Sequence, residues 1–286
     1  MPTTDSPLRY PGGKTQLAPL VIDLLKKNNL LYGGYVEPFA GGAGLAWKLL
    51  LNSYVSHIYI NDIDRAIYAF WHSALINPDE ICARIESTKV NVSEWHRQRA
   101  IQDQRYSTLI DLGFSTLFMN RTNRSGIIRG GIIGGLNQQG NFKIDCRFNK
   151  AELIRKIRRI SAHKAQVSLF RLDALKFLTS VVPGIKGASL VNLDPPYMTN
   201  GPALYRNHYV PEDHAALARA VRRIRQRWIV TYDDTPETRA LYQRYPSFTQ
   251  QLNYTAQVKR VGVELLVLDP RLEFPDRLAP IQLLAA

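Results

Sequence analysis

Four things are scarce in this chain: cysteine, histidine at metal-binding spacings, long apolar runs and negative charge. The two cysteines, Cys82 and Cys146, lie far apart. They exclude a disulfide scaffold and a cysteine-based zinc site, fit a reducing compartment, and read as packing residues. The six histidines form no metal pattern, so no metal is expected. No apolar run is long enough to span a membrane, and the amino-terminal residues show no charged segment followed by an apolar one. A soluble, cytoplasmic protein is expected. Asp and Glu number 24 against 37 Lys and Arg, for a net charge of +13. The surplus is uneven: residues 91–165 carry fourteen Lys/Arg and five Asp/Glu. A concentrated positive region is the footprint of a polyanion binder; a solvated basic surface is the plainer alternative.

What is present is a regular alternation. With 286 residues and 45% hydrophobic content, the chain can build one large α/β domain, or a domain with an insertion. Short apolar runs at 35–36, 57–60, 167–170, 190–193 and 228–232 read as strands. Helical patterns follow at 45–51, 66–75 and 174–179, and Pro236 opens another. Alternating strand and helix implies a parallel sheet covered on both faces. Residues 250–255 and 261–268 are strand-like with only a short linker, which predicts an antiparallel hairpin at the end of that sheet. The alternation breaks over residues 78–165. That stretch contains Trp95, many arginines, a glycine-rich tract at 126–140, and an amphipathic helix at 151–160. The helix sets Leu153, Ile154, Ile157 and Ile160 on one face and Arg155, Lys156, Arg158 and Arg159 on the other. An inserted second domain over 78–165 is expected, with 1–77 and 166–286 forming the first.

Three segments suggest chemistry. Asp194-Pro195-Pro196-Tyr197 ends the strand Leu190–Leu193. An acid, two rigid prolines and an aromatic ring suit a flat heterocycle bearing an exocyclic amine; the plainer reading is a strand-ending turn. Glu37-Pro38-Phe39-Ala40-Gly41-Gly42-Ala43-Gly44 joins a strand to a helix. Its small residues let backbone approach a ligand, and the helix start offers free N–H groups. Asp62, at the end of the next strand, is placed to accept the hydroxyls of a ribose. Together these point to a nucleoside-containing cofactor, without the full spacing of a dinucleotide fingerprint. Arg9-Tyr10-Pro11-Gly12-Gly13-Lys14 reads equally as an anion-binding loop or a helix cap, and it is not a P-loop.

In this order, the motifs resemble those of the Dam-type, D12 class of DNA N6-adenine methyltransferases. The matching pieces are Tyr10 to Lys14, Glu37 to Gly42, Asn61-Asp62-Ile63-Asp64, the segment from Phe118 to Gly126, Asp194 to Tyr197, and Trp228 to Asp233. The resemblance implies a Rossmann-like methyltransferase sheet using S-adenosylmethionine and releasing S-adenosylhomocysteine. It also implies an inserted, mostly helical target-recognition domain with a hairpin or long loop. By resemblance, Tyr10, Lys14, Glu37, Pro38, Phe39, Ala40, Gly41, Gly42, Asp62, Asp173 and Asp194 border the cofactor. Asp194, Pro195, Pro196 and Tyr197 hold a flipped adenine. Double-stranded DNA is the implied partner, in a restriction-modification setting with a cognate endonuclease, or in a phage or orphan system.

Candidate DNA contacts in the insertion are the cations Arg121, Arg124, Arg129, Lys143 and Arg147, with Lys150. Asn120, Asn123, Asn137, Gln138 and Gln139 are amides of the kind that read adenine edges. No aromatic follows the Asn-Arg segment, so recognition of GATC is not implied. Tyr205, His208 and Tyr209 are candidates for the DNA side of the pocket. An acid at the first position of the tetrapeptide favours adenine. Cytosine N4, RNA adenine and protein glutamine remain alternative acceptors, and a catalytically silent DNA-binding protein or a dehydrogenase are rival classes.

Overall fold

A computed structural model describes residues 4–9, 14–198, 209–254, 260–274 and 281–283. Tyr10 and residues 11–13, together with Tyr205 and His208, lie outside the described residues.

The expected strands form one sheet. β1 (Gly34–Glu37), β2 (His57–Asn61), β3 (Val167–Phe170), β4 (Ser189–Leu193) and β5 (Arg227–Asp233) are parallel. β6 (Ser247–Tyr254), β7 (Arg260–Leu268) and β8 (Ile281–Leu283) extend the sheet beyond β5. The strand order is β3-β2-β1-β4-β5-β7-β6-β8, with β7 antiparallel to both β5 and β6. The anticipated hairpin is β6–β7, and β8 is an edge strand the sequence pattern did not announce. The order reverses between β1 and β4, so the carboxyl ends of those strands open a crevice there, the usual ligand position in open α/β sheets.

Residue alternation distributes the two faces. Tyr35, Leu190, Ile229, Leu266 and Leu268 pack into one apolar cluster, while Val36, Val191, Val230, Leu265 and Val267 pack into the other. Among the described residues, seven helices contribute to the first: α1 (Ala18–Lys27), α2 (Gly44–Leu51), α3 (Arg65–Ile76), α4 (Pro78–Ser87), α5 (Val92–Asp103), α6 (Leu109–Thr122) and α7 (Lys150–Ser161). The second is covered by α8 (Ala174–Ser180), α9 (Pro211–Val221) and α10 (Pro236–Tyr242). Among the described residues, no helix is long and apolar enough to cross a membrane.

Residues 78–165 supply α4 to α7, and the long connection 123–149 contains one isolated antiparallel bridge, Asn123 to Ile132. These helices share the apolar cluster of the sheet, through Trp95, Phe118 and Ile157 among others. α6 packs tightly on α3. A Cβ on Gly113 would lie 2.4 Å from Ser73 Oγ and 2.6 Å from the Ala69 carbonyl oxygen, so any side chain there would push the helices apart. Lys156 departs from its expected exposed face. It sits three residues after Leu153 and four before Ile160, which places it on the buried stripe at 9% exposure. Its ammonium escapes to the Ser6 carbonyl at 3.5 Å and to Glu152.

Candidate active site

The face that carries Leu190, Ile229 and Leu266 turns polar toward the carboxyl edge of the sheet. By the same two-residue period, Tyr35 and Glu37 of β1, Asn192 of β4 with Asp194 just beyond its end, Thr231 of β5 and Glu264 of β7 point to that side. Lys14 begins a single 3-10 turn leading into α1 and enters this cluster. Its Nζ lies 3.0 Å from Asp194 Oδ1, 3.0 Å from Glu264 Oε1 and 2.7 Å from the Tyr197 hydroxyl. The Tyr197 hydroxyl also donates to Glu264, and the lysine ammonium stands 5.2 Å from the centre of the Tyr197 ring. Thr231 Oγ1 donates to Asp194 Oδ1 at 3.0 Å.

The electrostatics follow from burial. Burial raises the Asp194 carboxyl to about 6, a rise that Glu264 reinforces while Lys14 and Thr231 oppose it. For Lys14, burial opposes the charge, but Asp194 and Glu264 outweigh it and the ammonium is held above the ordinary lysine range. Behind Asp194, Asn192 donates to the Tyr35 hydroxyl at 2.7 Å, and the Ala46 N–H donates to Glu37 at 3.2 Å. Glu37 is pushed up to about 8, first by burial and then by the charge of Asp194, against the hydrogen bonds from Tyr35 and Ala46.

The glycine-rich loop lies beside this cluster. Gly41 has φ +46° and Ala43 +44°, a pair of left-handed residues that turn the chain sharply from β1 into α2. The Gly41 N–H donates to Asp62 Oδ2 at 2.9 Å, and its carbonyl accepts from Trp71 Nε1 at 2.9 Å. Asp62 Oδ1 accepts the Asp64 N–H, so each carboxylate oxygen is oriented by main chain and keeps a further lone pair. Burial, then the neighbouring Asp64, raises the Asp62 carboxyl to about 7. Asn61 ties the loops together: its amide donates to the Pro38 and Leu172 carbonyls and its oxygen accepts the Leu172 N–H. Pro38, Ala40, Gly41, Gly42, Pro195 and Pro196 are buried, and half-buried Phe39 meets Tyr209 edge to face at 5.9 Å.

The structure brings Lys14, Glu37 and Asp194 to Tyr197 into one cluster, with Asp62 on the adjoining loop. Asp173 is exposed at the end of β3 and caps α8 through Leu175 N and Lys176 N. Asp213 accepts the Val210 N–H at the start of α9. Four participants had no place among the sequence candidates: Glu264, Thr231, Tyr35 and Asn192. Only Glu264 left a plain signal, as the one acid within the apolar run Val261–Leu268.

Within residues 78–165 several candidate DNA contacts prove to be committed to the fold. Asn120 is fully buried, and its side chain accepts the Arg9 N–H and donates to the Arg9 and Gly126 carbonyls, at 2.8, 2.7 and 2.8 Å. Asn123 is also fully buried, accepting from Trp95 Nε1 and donating to the Ile127 and Ile128 carbonyls. Neither amide is open to a base edge. Both close orphan main-chain groups where the chain leaves α6. Gln138 serves its own loop, donating to the Ile133 and Gly135 carbonyls and accepting the Ile144 N–H. The Arg121 guanidinium is spent on the Pro7 carbonyl, and burial lowers its pKa to about 10. Arg124, Arg129, Asn137, Gln139 and Lys143 are exposed and Arg147 is half-buried. Arg129 reaches Asp103 at 3.6 Å, Lys143 donates to the Gln138 carbonyl, and Lys150 donates to the Glu86 carbonyl.

Forty-one solved chains are similar. One is an rRNA methyltransferase from Streptomyces viridochromogenes, at 17% identity and a TM-score of 0.40, covering 91% of this chain and 85% of that one. Another is a conserved hypothetical protein of Streptococcus pyogenes, at 10% identity and 0.32, covering 86% and 92%. At those scores they carry no argument. No curated protein sequence matches significantly. The family comparison is decisive: residues 10–259 match one family model, and the chain belongs to the D12 class N6 adenine-specific DNA methyltransferases.

Proposed function

We propose that the protein transfers a methyl group from S-adenosylmethionine to the N6 amine of adenine at specific sites in double-stranded DNA. The observation that carries this reading is the Asp194 carboxylate at the carboxyl end of β4. It is fixed through Oδ1 by Lys14 and Thr231, is linked through Lys14 to the half-buried Tyr197, and lies near enough to Glu37, which opens the glycine-rich loop, for its charge to act there. An adenine amine is a weak nucleophile because its lone pair is delocalised into the ring. Asp194 and the Pro195 carbonyl accept its two N–H groups, aim the nitrogen, and stabilise the positive charge that develops on it.

The residues present suit the cofactor. The tight turn at Gly41 to Gly44 brings small residues, with no bulky side chains, to the start of α2, and half-buried Asp62 retains acceptor capacity for two ribose hydroxyls. When bound, S-adenosylmethionine supplies the electrophilic methyl; the chain's own part is to hold, orient and exclude water. The amine lies inside a duplex, so the base turns out of the helix, at an unstacking cost of a few kcal/mol. The exposed cations of the insertion offset that cost by binding phosphate. The activity implies work inside the cell, alone or beside an endonuclease of the same site.

The test is to incubate the protein and its Asp194→Ala variant with S-adenosylmethionine and mixed-sequence duplex DNA, then to map modified bases by long-read sequencing. N6-methyladenine at one short motif, lost in the variant, is the expected result. Methylation confined to cytosine, to RNA or to protein, or no methylation by the wild type, overturns the reading.

A further inference from the structure

Two carboxylates share one buried ammonium, and only one of them lies in a sequence motif. Glu264 is 2% exposed in the middle of β7, beside Leu265 and Leu266. Burying a carboxylate there is costly unless it is paired and useful. Its partners are Lys14 and Tyr197, each of which also touches the catalytic cluster. The placement has a geometric consequence for Asp194. Lys14 and Thr231 both donate to the same oxygen, Oδ1, and two donors on one oxygen prevent the carboxylate from rotating. Glu264 and the Tyr197 hydroxyl hold the ammonium at that position, so it does not slide over to compete for Oδ2.

We infer that Glu264 is a positioning residue for methyl transfer: it anchors Lys14 so that Oδ1 of Asp194 is saturated and Oδ2 is left to accept the amine. The inference rests on the adenine reading of this site. Charge balance supports it as well. Lys14 alone neutralises Asp194, whereas Lys14 with two carboxylates leaves the cluster at a net −1. The lysine therefore orients Asp194 without cancelling the negative charge that a developing positive nitrogen needs. The titratable groups facing Asp194 are Lys14, Tyr35 and Glu37 of β1, Tyr197, and Glu264 of β7, while Tyr232 of β5 feels its charge from the other face of the sheet.

The experiment compares wild type, Glu264→Gln, Lys14→Gln and the double variant on a DNA duplex that the wild type methylates, with active sites counted by S-adenosylmethionine binding. Glu264→Gln should lower kcat about tenfold or more. KM for both substrates should stay within about threefold. The acid limb of its pH profile should move to lower pH, because the charge that helps hold Asp194 up has gone. In the Lys14→Gln background the same change should add less than about twofold, since Glu264 acts through that lysine. Glu264→Asp should recover part of the rate. The inference is overturned by a Glu264→Gln kcat equal to wild type per active site, by an unmoved pH limb, or by an equal loss when Lys14 is absent. Should Lys14→Gln not fold, the pH limb and kcat of Glu264→Gln decide alone. A wild type that methylates no adenine would instead fail the functional reading itself.

Discussion

The carboxyl edge of the sheet and the connection 123–149 solve opposite problems. At the sheet edge, titratable side chains are withdrawn from solvent and paired with one another: buried Lys14 and Glu264, half-buried Asp194 and, behind them, buried Glu37. In the connection, Arg124, Arg129 and Lys143 stand in solvent, while the buried polar residues beside them, Asn120 and Asn123, are amides spent on main chain. Groups that do chemistry gain from desolvation, which raises carboxyl pKa values and strengthens short-range charge interactions. Groups that attract a polyanion must stay exposed, where each contributes little alone and much together. The two regions meet at Arg9, which Asn120 clamps from both sides of its peptide backbone five residues before Lys14.

Four measurements break or sharpen this contrast. The largest effect is expected at Asp194. Asp194→Ala should reduce methyl transfer on the order of 10³-fold with the fold retained, measured with labelled cofactor at saturating DNA. The wild-type rate should also fall as pH drops through about 6, because a protonated Asp194 loses the charge that accepts the amine. A variant that kept its rate would remove the chemical half of the comparison.

Next is Asn120. Asn120→Ala leaves two main-chain carbonyls and one N–H of the Arg9 and Gly126 region without partners, and should cost about 2–3 kcal/mol in denaturant unfolding. The methylated sequence should not change. An altered recognition motif with unaltered stability would return Asn120 to the role of a base reader.

The third concerns pH and stability. Glu37 titrates at about 8 and Asp62 at about 7 in the folded protein, both raised first by burial from ordinary carboxyl values of 4.5 and 3.8. Between those limits the folded chain holds protons that the unfolded chain releases. Stability from these groups is therefore full below pH 4 and is lost as pH climbs toward 8. Thermal midpoints should fall from pH 5 to pH 8, and Glu37→Gln should flatten the slope. A midpoint that rose over that window would mean these acids are not held neutral by the fold.

The smallest effects belong to the exposed cations. Arg124→Ala or Lys143→Ala should weaken DNA binding only a few-fold, uniformly across sequences, and should lower the slope of log affinity against log salt by about one. A sequence-selective loss would instead mark that side chain as a reader of bases.

The strands were legible because their apolar runs and glycine or acid stops are local signals. The runs at 57–60, 167–170 and 190–193 coincide with β2, β3 and β4 to within a residue. Helices α5 and α6 left weaker traces for opposite reasons. Val92–Asp103 buries only Trp95 and Gln98, so it has almost no apolar stripe, whereas Leu109–Thr122 is buried on nearly every side and has no polar one. The same enclosure explains the two asparagines. An amide in a buried helix end must satisfy main chain before anything else, and composition alone cannot tell that use from base recognition.

The sequence by itself determined the order of β1 to β7 and of the helices α2, α3, α7, α8 and α10, the concentration of basic residues at 91–165, and an acid, two prolines and a tyrosine at one strand end, because these are written in short-range periodicity, composition and turn chemistry. Only the tertiary structure decided which charges share a site. Lys14, Asp194, Thr231 and Glu264 come together because β4, β5 and β7 lie side by side at the edge where Lys14 enters. Strand order is set by long-range packing, and a buried ion pair forms only where that packing removes water from both partners.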